Sequence, residues 1–171
     1  MDIGESAQVS VLVADVSHVE PSSNKANLLG AFTSIFGGQK ITTPVPVEGA
    51  VMTPPFGVFV SCAVPPSFIG STYALSVDLR NEAGDLVDMP GGASSDKLRI
   101  AQIVQVLAVT VPGIAIREKK VWPRQNMSLN FPGGLPLLPD QNYSWVVEID
   151  GTKRGEFQMY VAGGAPMVVL G

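Results

Sequence analysis

Cysteine, histidine and charge are all scarce in this chain of 171 residues, which contains one cysteine, Cys62, and one histidine, His18. A single cysteine cannot form an internal disulfide, so the fold does not depend on an oxidising compartment. A single histidine cannot build a histidine-based metal cluster, and a Ser-His-Asp triad would depend wholly on His18. The sequence therefore predicts no catalytic residue, no metal site and no cofactor, and the protein is not expected to be an enzyme.

Charged side chains make up 15% of the chain, against roughly a quarter in a typical soluble domain. Such a surface is explained either by an ordinary β-domain with Ser, Thr and Gln outside or by burial in an assembly, and we favour burial. The net charge of −4 argues against binding to a phosphate backbone. A basic cluster of the kind typical of a solvated loop comprises Arg117, Lys119, Lys120 and Arg124, interleaved with Glu118 and Trp122.

Long hydrophobic runs are also missing, because proline, glycine or charge interrupts every apolar stretch within about 18 residues. No membrane partner is therefore expected. The start of the chain, residues 1–5, is acidic and has neither the basic nor the apolar part of a secretion signal. We expect the protein to be made and retained in a cytoplasm.

The chain does contain alternating apolar residues, most clearly between residues 141 and 161. One apolar set comprises Tyr143, Trp145, Val147 and Ile149, and the returning set comprises Phe157, Met159 and Val161. The period of two predicts two strands with one buried face, and Asp150-Gly151 between them predicts a tight hairpin turn. Tyr143 is either a tyrosine corner, with its hydroxyl bonded to upstream backbone, or an ordinary core tyrosine.

Similar patterns predict strands at Val9–Val13, Ala26–Phe36, Phe56–Val64 and Tyr73–Leu79. The β-branched residues of 98–111 favour a strand over the helix that its Ala, Leu and Gln residues would permit. We expect seven to nine strands in two antiparallel sheets. The predicted fold is all-β, a single antiparallel β-sandwich that is immunoglobulin-like in general architecture. Its predicted core comprises Val11, Val13, Phe56, Val58, Val60, Leu75, Val77, Tyr143, Trp145, Val147 and Phe157.

Two further groups of residues are interpreted as turns rather than sites. The carboxylates of Asp78, Glu82, Asp85 and Asp88 lack the spacing of a calcium loop and predict a solvated hairpin turn. The paired glycines lack the spacing of a phosphate-binding loop. His18 is expected in a polar turn.

The last nine residues are expected to form a separate unit. We divide the chain into a β-sandwich domain, residues 1–162, and a C-terminal apolar arm, residues 163–171, with Gly163-Gly164 as a hinge. The apolar side chains of the arm gain nothing in water, so they should pack either on the parent sandwich or on a neighbouring subunit as an added strand. These side chains are Met167, Val168, Val169 and Leu170.

Three blocks of sequence resemble a family of uncharacterised small β-sandwich proteins from actinobacteria and their tailed phages. The blocks are VSVLVADVSHVEPSSNKANLLGAF at 9–32, FVSCAVPPSFIGSTYALSVDLRNEAGDLV at 59–87 and LNFPGGLPLLPDQNYSWVVEIDGTKRGEFQMYV at 129–161. The resemblance implies the sandwich and implies no catalytic or binding residues. The chain departs from the family pattern in the long segment 89–126 and in the C-terminal arm. Assembly contacts are expected there, at Trp122 in the first and at the four apolar residues in the second.

These observations predict a structural protein of a tailed-phage virion, a capsid decoration or minor capsid protein that binds neighbouring shell subunits. Its partners would be the major capsid protein or other virion proteins and further copies of itself, with no nucleic acid. It would be made in the host cytoplasm and located in the virion. The alternative is a cytoplasmic bacterial binding module for a small ligand or peptide, and an esterase-like enzyme that uses His18 ranks far behind both.

Overall fold

A computed structural model describes residues 2–30, 35–37, 39–40, 48–89, 96–111, 113–117 and 120–163. This part of the chain forms thirteen strands, one α-helix of four residues and one short 3-10 helix, so the all-β class is confirmed. The helix α1 spans Ile3–Ser6, and the side chain of Asp2 caps it by accepting from the backbone N–H of Gly4. The 3-10 helix spans Pro66–Phe68.

Most strands follow one another closely, but long connections separate β8 from β9 and β9 from β10. The strands are β1 (Gln8–Ala14), β2 (Val16–Val19), β3 (Ala26–Leu29), β4 (Ile35–Gly37), β5 (Gln39–Lys40), β6 (Val51–Met52), β7 (Phe56–Ala63), β8 (Thr72–Arg80), β9 (Arg99–Gln105), β10 (Arg124–Phe131), β11 (Pro136–Leu137), β12 (Gln141–Ile149) and β13 (Thr152–Ala162).

Two sheets form the body of the protein. The β7 sheet has the order β1-β7-β10, and the β12 sheet has the order β4-β13-β12-β8-β9. All neighbours in them are antiparallel except β4 and β13, which are parallel. Short strands form two further sheets, β11-β6-β5 and β2-β3. The prediction of seven to nine strands in two sheets is therefore too low in both numbers. Short segments of two to four residues pair with one another and form the two further sheets. A single closed sandwich stays a prediction.

The β7 and β12 sheets share one hydrophobic core. At its centre lies Trp145 of β12, which is fully buried. The indole packs against Phe131 and Phe56 of the β7 sheet, with ring centroids 5.5 and 6.4 Å away. Every predicted core residue is buried except Phe157, which is partly buried and packs against this core. The period-two pattern therefore located the core correctly.

β7 is buried on both faces, and β8 is buried on both faces over residues 75–79, whereas one buried face was expected for each. Ser61 of β7 is only 4% exposed, and Asp78 of β8 is 0% exposed. The outer face of β7 is covered because the β2-β3 hairpin lies across it. There the Ser17 hydroxyl bonds to the Ser128 hydroxyl and lies 3.2 Å from the side-chain oxygen of Asn130.

The hairpin between β12 and β13 is confirmed. Asp150 and Gly151 have positive φ angles of 49° and 77°, and Ile149 pairs directly with Thr152. The Asp150 carboxylate also accepts from the backbone N–H of Ala74 in β8 at 2.8 Å. The turn therefore fixes the register of a third strand.

The tyrosine corner is also confirmed. The Tyr143 hydroxyl accepts from the backbone N–H of Leu138 at 2.9 Å and donates to the carbonyl of the same residue at 3.2 Å. The side chain is buried, so it serves the core and the corner together. Burial raises the pKa of this phenol.

The segment 98–111 is a strand only in its first half. β9 ends at Gln105, and residues 106–110 have no regular structure. The strand predicted at Ala26–Phe36 is likewise divided, since β3 ends at Leu29 and β4 begins at Ile35.

Candidate interaction surface

The connection between β9 and β10, residues 107–122, is named here the apolar loop. Its two ends are fastened to the body of the protein. Before it, the backbone N–H of Val106 donates to the carbonyl of Ser71 at 2.9 Å. After it, the carbonyl of Pro123 accepts from the backbone N–H of Val64 at 3.0 Å. Between these anchors, a bend joins the N–H of Ile114 to the carbonyl of Val111 at 3.1 Å.

Large apolar side chains of this loop are exposed to solvent. Leu107 is 65% exposed and Ile114 is 63% exposed. Val111, Val121 and Trp122 are each about two-fifths exposed. Apolar surface grouped in this way marks interaction sites, whereas scattered apolar residues do not. The loop is therefore the best candidate for a binding surface in the part of the chain that the structure describes.

A wide groove of about 890 Å³ runs between the apolar loop and the turn of the β2-β3 hairpin. Leu107, Val109 and Trp122 line it on the loop side, and Glu20 lies on the hairpin side. A hydrogen bond from the Ser23 hydroxyl lowers the pKa of Glu20. The groove thus has apolar and polar walls, and its lining includes both the carboxylate of Glu20 and the guanidinium of Arg124.

Trp122 is the predicted contact residue that the structure describes, and it lies on the apolar loop and on the groove. The other four predicted contact residues, Met167, Val168, Val169 and Leu170, lie outside the described residues. Their role stays a prediction.

Of the basic cluster, Arg117, Lys120 and Arg124 are exposed, and Lys119 lies outside the described residues. Arg117 and Lys120 lie on the apolar loop. Arg124 belongs to β10, and its guanidinium donates to the Ser61 hydroxyl at 3.1 Å. The exposure of these three side chains agrees with the interpretation as solvated positions.

His18 and Cys62 lie on different strands. His18 is exposed on β2, where it pairs with Asn27, so its predicted place in a turn was wrong. Cys62 is 1% exposed, and burial raises the pKa of its thiol to about 12. The thiol is therefore protonated at neutral pH and is a poor nucleophile.

The predicted solvated cluster of carboxylates is wrong for Asp78. Its buried carboxylate lies 3.1 Å from the guanidinium of Arg80 and 3.4 Å from that of Arg99. Glu148 approaches the Arg80 guanidinium at 2.8 Å and completes the cluster. Strand pairing brings these residues together, since Asp78 pairs with Arg99 across β8 and β9. Sequence spacing carries no signal of such a contact.

The remaining three carboxylates, of Glu82, Asp85 and Asp88, are exposed as expected. Within the described residues, no three His, Cys, Asp or Glu side chains are grouped in a way that could hold a metal ion. In the same part of the chain, no helix has the length and apolar character to cross a membrane.

A second and smaller cavity, of about 150 Å³, lies on another part of the surface. Its walls are mainly apolar, with Asn81, Asp88 and Gln141 as polar groups. The apolar lining comprises Leu86, Val87, Met89, Pro136, Leu137, Leu138 and Tyr143. A cavity of this size is below the usual range of about 300–1,000 Å³ for small-molecule sites.

Comparison of the chain with protein-family models, with curated proteins and with solved structures gives no match. The fold and the surface together define an all-β protein whose exposed apolar side chains are concentrated on one loop.

Proposed function

We propose that this protein is a structural component of a protein shell, and that it binds neighbouring shell subunits through the apolar loop. The observation that carries the proposal is the concentration of exposed apolar side chains on residues 107–122. Of the ten large apolar residues that are exposed in the described part of the chain, five belong to this loop. Exposing such a loop to water is unfavourable for a monomer, because covering each of these side chains with a partner lowers the free energy.

The loop is suited to weak but repeated binding. Full burial of one such side chain contributes about 1.5–3 kcal/mol, and ordering the backbone costs about 1–2 kcal/mol per residue. The net free energy with which one copy binds is therefore small. A shell offers many identical sites, and attachment at several of them at once strengthens binding without any new contact.

A tailed-phage capsid is the shell that we propose, with the protein as a decoration or minor capsid protein. The support is the resemblance of three sequence blocks to a family from actinobacteria and their phages, together with the low fraction of charged residues. Holding shell subunits together depends on the surface area buried between proteins and involves no chemical reaction, so the proposal assigns no catalytic residue.

Mass spectrometry of purified phage particles from the host that encodes the chain tests this function. We expect the intact protein to be present in the particles at a fixed ratio to the major capsid protein, and the ratio to survive a high-salt wash. Salt should not remove it because apolar contacts are not screened. Absence from washed particles, with the protein recovered only from the host cytosol, would overturn the proposal.

The alternative function, a binding module for a small ligand or peptide, would use the cavity of about 150 Å³, although this cavity is smaller than most small-molecule sites. Leu86→Trp should reduce the cavity, because Leu86 lies on its wall and is only partly buried. If Leu86→Trp removes biological activity while Leu107→Ser preserves it, the cavity is the working site and the shell proposal fails. The shell proposal predicts the reverse.

A further inference from the structure

The strand β9 is the edge of the β12 sheet, and among the described residues β8 is its only neighbour. The N–H of Val106 bonds to Ser71, and the carbonyl of Leu98 accepts from Leu79, so the even-numbered residues of this segment direct their backbone groups toward β8. By the alternation of an antiparallel pair, the N–H and C=O groups of Ala101, Ile103 and Gln105 point away from the sheet.

Apart from the charge of Arg99 at its first residue, this edge lacks the features that usually prevent strand pairing between molecules. Natural edge strands are blunted by proline, lysine, bulges or a covering element. β9 has neither proline nor lysine, and its pairing with β8 runs through seven residues without a register shift. Within the described residues no further strand pairs with this edge, and the side chains of Ala101, Ile103 and Gln105 are exposed, that of Ile103 by 73%.

We propose that two copies of this chain pair β9 with β9 in antiparallel orientation, about a twofold axis at Gln102, so that two five-stranded sheets become one continuous sheet. The sequence of β9 is complementary to itself in this register. Gln102 faces Gln102 of the second copy, Ala101 faces Ile103, Ile100 faces Val104 and Arg99 faces Gln105. The residues whose free backbone groups point outward, Ala101 and Ile103, then meet as a hydrogen-bonded pair.

The charges permit this pairing. Arg99 is the only charged residue of β9, and in this register it meets a neutral glutamine. The two copies of Arg99 lie at opposite ends of the seam, about 20 Å apart at 3.4 Å per residue, which exceeds the screening length of about 8 Å at physiological salt. Each is also paired with Asp78 of its own chain. An isologous interface needs this self-complementarity, and heterologous partners do not.

The dimer is a property separate from the proposed shell binding, but it would affect how the protein binds a shell. Leu107 follows Gln105 by two residues, so two apolar loops would flank the seam. A dimer would then present two binding loops to a shell, and the second attachment would be intramolecular.

Sedimentation equilibrium of the full chain, without particles, tests the dimer. We expect a mass of twice 18.0 kDa, which is 36.0 kDa. Ala101→Pro removes an outward N–H and should give an 18.0 kDa monomer with unchanged circular dichroism. Leu29→Lys, at a residue that is 68% exposed on β3, is the matched control and should stay dimeric. A wild-type chain that is monomeric at 200 µM would overturn the proposal.

Cross-linking tests the register. In a non-hydrogen-bonded pair the two Cα atoms lie about 4.5 Å apart, which suits a disulfide. Gln102→Cys should therefore form a covalent dimer on oxidation, and Gln105→Cys should not, since its two copies would be about 20 Å apart. Equal cross-linking of both variants, or loss of the dimer when residues 163–171 are deleted, would overturn the β9 seam. Because no particle is present, these outcomes are independent of shell binding.

Discussion

At the scale of single residues, Tyr143 links the core to the loop before β12. Its ring is buried, and its hydroxyl satisfies both backbone groups of Leu138. The sequence left two roles open for this residue because alternation reports only that a side chain points inward. The hydroxyl contact depends on the path of residues 138–142, and alternation does not describe that path.

Replacing Tyr143 by Phe should lower the free energy of unfolding by about 1–2 kcal/mol, because the backbone N–H of Leu138 loses its partner in a partly buried place. Urea unfolding followed by tryptophan fluorescence measures the change. Tyr160→Phe is the control, since the Tyr160 hydroxyl bonds to Asp140 at the exposed surface. It should leave the unfolding midpoint unchanged. Equal effects of the two substitutions would contradict the corner's role.

Cys62 gives a second prediction at this scale. Burial raises the pKa of its thiol to about 12, so at pH 8 only about one molecule in 10⁴ carries the reactive thiolate. An aromatic disulfide reagent should react with the native protein orders of magnitude more slowly than with the unfolded chain. The rate should rise with denaturant in parallel with unfolding. Fast labelling of the native protein at pH 8 would show that this strand opens locally.

Asp78 shows where reasoning from sequence fails. Its acidic side chain sits at an outward position of β8 and was expected in solvent. The structure places it under Arg80 and Arg99, where it is fully buried. Sequence pattern gives the face of a strand, but it does not give the cross-strand partner, and the partner decides whether a charge is covered.

At the scale of elements, local and distant pairings differ in how far they could be predicted. The β12-β13 hairpin was predictable because its alternation and its Asp-Gly turn lie within twenty-one residues. The β2-β3 hairpin lies on the β7 sheet through contacts such as that of Ser17 with Asn130 of β10, which are 113 residues apart in sequence. Because those contacts are polar, the alternation of apolar residues in the sequence could not predict them.

The contact between Gly57 and the β2-β3 hairpin can be tested by substitution. A Cβ atom on Gly57 would collide with the Ser17 hydroxyl and with the side-chain oxygen of Asn130. Gly57→Ala should therefore displace the hairpin and destabilise the protein by about 1–3 kcal/mol. Limited proteolysis should show new cleavage between residues 16 and 29. Gly133→Ala is the control, because a Cβ there meets nothing within 4 Å.

At the scale of the whole molecule, the sequence selected the segment that contains the proposed binding loop, but not the exposed residues of that loop. Segment 89–126 was selected because it departs from the family pattern, and it contains the apolar loop. The exposed residues Leu107 and Val111 were missed as contacts because 98–111 was interpreted as one continuous strand. The strand ends at Gln105, so the apolar residues after it belong to the loop.

The C-terminal arm supplies a prediction that separates assembly from folding. Its described residue, Gly163, donates its N–H to the Asp140 carboxylate at 3.0 Å. Deleting residues 163–171 should change the melting temperature by less than about 2 °C, because the arm is expected to pack on a neighbouring subunit and not on its own sandwich, and should weaken attachment to particles. Calorimetry and particle sedimentation measure the two effects. If the truncated protein unfolds, the arm belongs to its own core.

The central claim is that the apolar loop attaches the protein to a shell, and co-sedimentation with shells stripped of the protein tests it most directly. Leu107→Ser and Leu29→Ser remove the same side chain at nearly equal exposure, 65% and 68%, inside and outside the loop. The account predicts that Leu107→Ser weakens binding at least tenfold, which corresponds to about 1.4 kcal/mol, while Leu29→Ser binds like the wild type. Equal binding by the two variants would contradict it.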